Sequence, residues 1–180
     1  MFSRILVVAI AFSGTSGLAG DMTKRARPVV SNDGNHFSQR FSRGKDVIVV
    51  EVRVRAFQKA KHRLRLLEGS VQQVDGREPQ GIDGGPPEGL KSELVSISVS
   101  WNGIRRVVDK SLISDCFNTS GQPGVLISDD FRAVMITLEG GDGGGTYRIQ
   151  WVVPKEGEIV RFIVPYEELT WRLPIKPLQR

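Results

Sequence analysis

Apolar and polar residues alternate along several stretches of the chain. Over 47–57, Ile48, Val50, Val52, Val54 and Ala56 share one face while Glu51, Arg53 and Arg55 share the other. A period of two is the signature of a strand with one buried face. The stretch 94–101 repeats it, with Val95, Ile97, Val99 and Trp101 expected inward and Ser96, Ser98 and Ser100 outward. Asn102-Gly103 follows at once, before a further β-patterned run over 104–108. Two residues that tolerate positive φ between two such runs predict a tight hairpin, with Trp101 facing Ile104 and Ile97 facing Val108. A second hairpin is predicted from Val134, Ile136 and Leu138 on one arm and Tyr147, Ile149, Trp151 and Val153 on the other, joined through the glycine-rich run 139–145.

Further strands are expected at 125–128, 158–164 and 170–175, punctuated by Pro154, Pro165, Pro174 and Pro177. Residues 56–68 read two ways. A short amphipathic helix would align Phe57, Ala60, Leu64 and Leu67. A turn followed by a strand, the preferred reading, would put Leu64 and Leu66 inward and Arg63 and Arg65 outward. Residues 109–117 could hold one helical turn. The stretch 75–90 carries five Gly and three Pro in 16 residues and reads as a long loop within the domain.

Composition agrees with the local patterns. Val and Ile total 34 of 180 residues against 20 for Ala and Leu. β-Branched side chains fit a pleated surface and lose freedom in a helix. The fold class expected is therefore all-β: an antiparallel β-sandwich, immunoglobulin-like in general architecture, with at most one short helix. The domain is placed at 47–180, after a polar lead-in over 21–46 that holds six basic and three acidic residues.

The first 20 residues change the picture of compartment. Arg4 is followed by the apolar run Ile5–Phe12 and then by small residues as far as Gly20, apart from Leu18. Charge, short apolar run and small-residue exit form the pattern of a secretory signal peptide, cleaved after Ala19 or Gly20. The expected localisation is secreted or periplasmic. The apolar run is too short to span a bilayer, which takes about 20 such residues. The single cysteine, Cys116, excludes an intramolecular disulfide, and a lone exported thiol is expected to be buried. Asn118-Thr119-Ser120 matches the N-glycosylation sequon.

Candidate chemistry is sparse. The glycines of 139–145 precede a strand rather than a helix and no Gly-Lys-Ser/Thr follows, against a nucleotide site. They match a calcium-binding repeat only in part, with Glu139 and Asp142 as the acids. Asp129-Asp130 and Glu167-Glu168 are adjacent pairs, whose members point to opposite faces of a strand. His36 and His62 read as surface residues, and no nucleophile motif accompanies them. Neither a metal site nor a cofactor is expected.

The most distinctive feature is basic. Arg53, Arg55, Lys59, Lys61, Arg63 and Arg65 place six cations in 13 residues with no acid among them. If the strand bearing Arg63 and Arg65 lies beside that bearing Arg53 and Arg55, the four guanidinium groups form one face. Like charges side by side call for acidic neighbours or an anionic partner. The expected function is an exported non-catalytic module that binds an anionic polymer, lipid headgroup or acidic protein through these six residues. Nucleic acid fits poorly, because no aromatic residues interleave the cations. Two alternatives remain: an accessory subunit that pairs its sheet edges with another envelope protein, and a carboxylate-dependent hydrolase using Asp129, Asp130 or Asp142.

Overall fold

The alternating runs become strands that turn their apolar faces to one another. A computed structural model describes residues 29–30, 35–82, 84–141 and 146–165. The strands are β1 (Val29–Val30), β2 (His36–Arg43), β3 (Asp46–Ala56), β4 (Leu64–Leu67), β5 (Ser70–Val74), β6 (Ser92–Trp101), β7 (Ile104–Val107), β8 (Thr119–Ile127), β9 (Ala133–Gly140), β10 (Tyr147–Pro154) and β11 (Val160–Pro165). They form a sheet of order β1-β2-β3-β6-β7, a second of order β11-β10-β9-β8 and a separate β4-β5 hairpin, all antiparallel. Helical structure among the described residues is limited to three single 3-10 turns, at Lys59–Lys61, Pro87–Gly89 and Lys110–Leu112.

The two larger sheets share one core, so the fold is a β-sandwich. Ile48, Val50 and Val52 of β3 and Ile97, Val99 and Trp101 of β6 belong to the same buried cluster as Val134, Ile136 and Leu138 of β9 and Ile149, Trp151 and Val153 of β10. Burying each large apolar side chain stabilises the fold by about 1.5–3 kcal/mol, which makes this face-to-face contact the dominant favourable contribution. Each buried ring with a polar atom finds a backbone acceptor. Trp151 Nε1 donates to Leu112 O (3.0 Å), Trp101 Nε1 to Phe131 O (3.2 Å) and the Tyr147 hydroxyl to Phe117 O (3.1 Å). The strand order is a meander within the second sheet, and an immunoglobulin-like connectivity does not follow from it.

Both predicted hairpins form. Asn102 and Gly103 have φ of 50° and 87°, and Trp101 pairs with Ile104. The second hairpin pairs Ile136 with Trp151 and Leu138 with Ile149, while 142–145 of its connection lie outside the described residues. So do the strand expected at 170–175, Trp171 and the N-terminal 20 residues.

Four expectations change. The polar lead-in supplies β1 and β2, and Phe37 and Phe41 turn into the core from β2. The strands therefore begin well before residue 47. Within β6 the register slips between Arg53/Ser96 and Val54/Leu94, which leaves Val95 as an unpaired extra residue. This β-bulge points Val95 outward and Leu94 inward, reversing the predicted phase for that end of the strand. Residues 56–68 form a turn and a strand, but β4 pairs with β5 and not with β3. Lastly, the 75–90 stretch is tied down. Gln80 N bonds Asp115 O (2.7 Å), Phe117 N bonds Gln80 O (3.0 Å) and Leu90 joins Val71, Val74 and Phe117 in a second small core. Gly81, at φ +93°, passes so close that an added Cβ would lie 2.2 Å from Phe117 O.

Asn118 is the bolt of this docking. Its Nδ2 donates to Gly81 O (3.0 Å) and Gly89 O (2.8 Å), and its Oδ1 accepts from Lys91 N (2.7 Å). A glycan on Nδ2 would replace one of these hydrogens, so the folded sequon is closed to modification. Substituting Asn118→Ala removes these bonds and a longer one that Oδ1 accepts from Ser92 N (3.4 Å), and leaves backbone groups without partners. The expected loss is about 2–4 kcal/mol in a urea unfolding curve. An unchanged midpoint would show that the loop is held by its backbone bonds and apolar contacts without Asn118.

Candidate functional site

The bulge at Val95 decides where charge sits on the outer face of the first sheet. Beyond it, Glu93 pairs with Arg55 and shares that outer face. Arg55 Nε donates to Glu93 Oε1 at 2.7 Å, and this bond holds the guanidinium above its ordinary pKa. The chain leaving β3 then folds over the pair. Phe57 N bonds Lys91 O (2.9 Å) and the Lys59–Lys61 turn closes through Lys61 N to Gln58 O (2.8 Å). The turn leaves Lys59 and Lys61 exposed and swings His62 inward.

His62 is therefore not a surface residue, contrary to expectation. Its side chain and that of Glu93 are each only 10% exposed. The imidazole stacks on Phe57 (centroids 4.8 Å apart, 18° between planes) and meets the edge of Phe117 at 6.4 Å. Nδ1 lies 2.8 Å from Asp75 Oδ2. Nε2 lies 3.1 Å from Glu93 Oε2 but off the line of a hydrogen bond. Asp75 Oδ1 also accepts from Arg63 N at 2.8 Å. The backbone N–H of Arg63 and then the His62 bond hold the Asp75 carboxyl below the usual carboxylate range. The result is a continuous chain from Arg55 through Glu93, His62 and Asp75 to the backbone of Arg63. It cross-links β3, β6, the basic turn and the end of β5.

This arrangement divides the six predicted basic residues. Arg53 and Arg55 share the outer face of the first sheet, as expected, but Glu93 engages Arg55. Arg63 and Arg65 are exposed on the approach to β4 and on β4 itself, away from that face. Among the described residues, none of Arg53, Lys59, Lys61, Arg63 and Arg65 forms a salt bridge. Lys61, Arg63 and Arg65 line one groove of about 720 Å³ with Leu64, Gln73, Asp75 and Gly76. On the far side of Asp75 a cleft of about 350 Å³ is lined by Arg55, His62, Glu93, Arg77 and Lys110, among others.

Other candidates take structural places. Asp130 accepts from Ser128 Oγ (2.6 Å) and Arg132 N (3.0 Å), which closes the turn before β9 and keeps its carboxyl below the usual range. Glu139 pairs with Arg148, and Asp142 lies outside the described residues. His36 sits on β2, 3.7 Å from Glu51. Cys116 is buried beside the Asp115–Arg161 pair (2.8 Å), and burial pushes its thiol pKa up, which makes it a poor nucleophile. Among the described residues no group of three His, Cys, Asp or Glu side chains is arranged to hold a metal ion.

Sequence reasoning missed the partners of His62. Leu94 and Val95, adjacent and both apolar, break the alternation of β6 and were the available sign of a bulge. Nothing local connects Asp75 to His62.

The shift at Asp75 has a pH signature. A carboxyl whose folded-state pKa is depressed contributes stability above its unfolded value, and that contribution is lost as pH falls through the folded value. Acidification below about pH 4 should therefore weaken the wild type. Asp75→Asn, measured by urea unfolding between about pH 3 and pH 6, should be less stable at pH 6 and show a flatter acid dependence. Equal slopes for the two proteins would show that the contact carries no linkage.

Comparison with known proteins finds no matching family model, no similar curated protein and no similar solved structure.

Proposed function

We propose that the protein is an exported, non-catalytic module that holds an anionic partner in the groove lined by Lys61, Arg63 and Arg65. One observation carries this reading. Among the described residues, three exposed cations converge on a single groove whose only carboxylate, Asp75, is already engaged by His62 and the Arg63 backbone. The six-residue basic face expected from the sequence thus narrows to three residues. Arg55 is neutralised by Glu93, and Arg53 and Lys59 are not part of the groove lining. No aromatic side chain lines it either, which weighs against stacked bases. Export rests on the three-part N-terminal pattern.

A second reading has its own support. β7 and β11 are edge strands of the two sheets. Ile104 and Val107 on the first, and Val160, Phe162 and Ile163 on the second, expose apolar surface. An accessory subunit that adds a partner strand at either edge would use these residues.

Co-sedimentation with envelope material at low and high salt separates the readings. Exposed charges are screened within about 10 Å at 0.1 M salt, so groove binding should release as salt rises. Arg63→Glu with Arg65→Glu should reduce low-salt retention at least about tenfold while leaving the fold intact. Retention that survives both salt and the two substitutions would favour edge pairing. For export, N-terminal sequencing of protein recovered outside the cytoplasm should begin at Gly20 or Asp21. Protein found only in the cytoplasm and still starting at Met1 would overturn it.

A further inference from the structure

We propose that the β4–β5 hairpin docks the protein on an anionic lipid surface, with Leu66 and Leu67 entering the interface while Lys61, Arg63 and Arg65 meet the headgroup phosphates. The inference rests on the groove being an anion site and names the partner that fills it.

The hairpin belongs to neither large sheet, so its far end is not covered by the sandwich. Glu68 and Gly69, at φ of 51° and 83°, make the tight turn. Directly before it, Leu66 is 47% and Leu67 is 63% exposed. Single exposed apolar residues are ordinary on a protein surface, but these two occupy opposite faces of β4 just before its turn, so the hairpin end carries apolar surface on both faces beside the cations. Arg65 lines both the basic groove and the neighbouring depression that contains Leu66 and Leu67. Three acids stand near the three cations: Glu68 at the turn, Glu78 in that depression and Asp75 in the groove, the last already bonded to His62 and the Arg63 backbone.

A partner's chemistry follows from this mixture. A dissolved polyanion would satisfy the cations and leave both leucines in water. An acidic bilayer satisfies both, since its phosphates attract the cations while its acyl boundary takes the leucines. Among the described residues no helix is long and apolar enough to cross a membrane, and the contact described here is with a surface.

The test is co-sedimentation of the full chain with vesicles of phosphatidylcholine alone and of phosphatidylcholine with phosphatidylglycerol, at salt of about 0.05 M and 0.5 M. Binding to the mixed vesicles is expected, with little binding to phosphatidylcholine. The fraction that remains at high salt is expected to fall about tenfold in Leu66→Ser with Leu67→Ser. A thermal melt confirms that this variant folds. As a second variant, Leu67→Trp should show emission quenched by brominated acyl chains. Mixed-vesicle binding that the serine substitutions leave unchanged overturns the lipid proposal but leaves the anionic groove standing. Binding to soluble polyphosphate without binding to vesicles does the same. Vesicle binding that persists in Arg63→Glu with Arg65→Glu removes the groove reading and this inference together.

Discussion

One extra residue in β6 sets the arrangement on which the charged region depends. Without the bulge at Val95, Glu93 would follow the phase of Ile97 and Val99 and face the apolar core. There an unpaired carboxylate would cost several kcal/mol. With it, Leu94 takes the core position opposite Val54, and Glu93 emerges on the outer face opposite Arg55. The carboxylate is still largely covered, because the Phe57–His62 segment closes over it. It is tolerated there because Arg55 and His62 approach it from two sides. A buried pair of this kind adds little net stability over apolar packing, but removing one partner leaves the other charge stranded. Its contribution is therefore positional: it determines which way the turn faces.

That positioning governs the groove. His62 leaves the 3-10 turn in extended backbone (φ −128°, ψ 147°), where neighbouring side chains alternate, so His62 points in while Arg63 points out. The inward histidine is anchored by Asp75, whose other oxygen holds the backbone of Arg63. Among the described residues the one acid in the groove lining is thus held at its edge by His62 and the Arg63 backbone, and it offsets part of the charge of the three cations. Repulsion among three adjacent cations is a cost to the fold, offset by solvation and by Asp75, and an anion in the groove would relieve it further.

The glycine- and proline-rich stretch shows the same division between local and long-range causes. By composition it has little to bury. It is ordered because other elements supply what it lacks: acceptors and donors from Asn118, a backbone ladder with Asp115 and Phe117, and a pocket for Leu90. Glycine matters here for a spatial reason, since the chain at Gly81 runs against the Phe117 carbonyl where no Cβ fits.

Alternation of side chains was enough, by itself, to determine the all-β class, the two hairpins and the inward sets of β3, β9 and β10. A strand's two faces are decided by residues two apart, and a tight turn by residues side by side. Phe37 and Phe41 were missed because polar neighbours on a short strand hide the period. The basic cluster was legible as composition, but not its division into an engaged Arg55, a sheet-face Arg53 and a groove of Lys61, Arg63 and Arg65. That division was decided by tertiary structure alone: by β4 pairing with β5 rather than β3, by the bulge, and by Glu93 and Asp75 meeting His62 from 31 and 13 residues away. Such contacts depend on how separate strands come together in space, and no pattern of neighbouring residues encodes that distance.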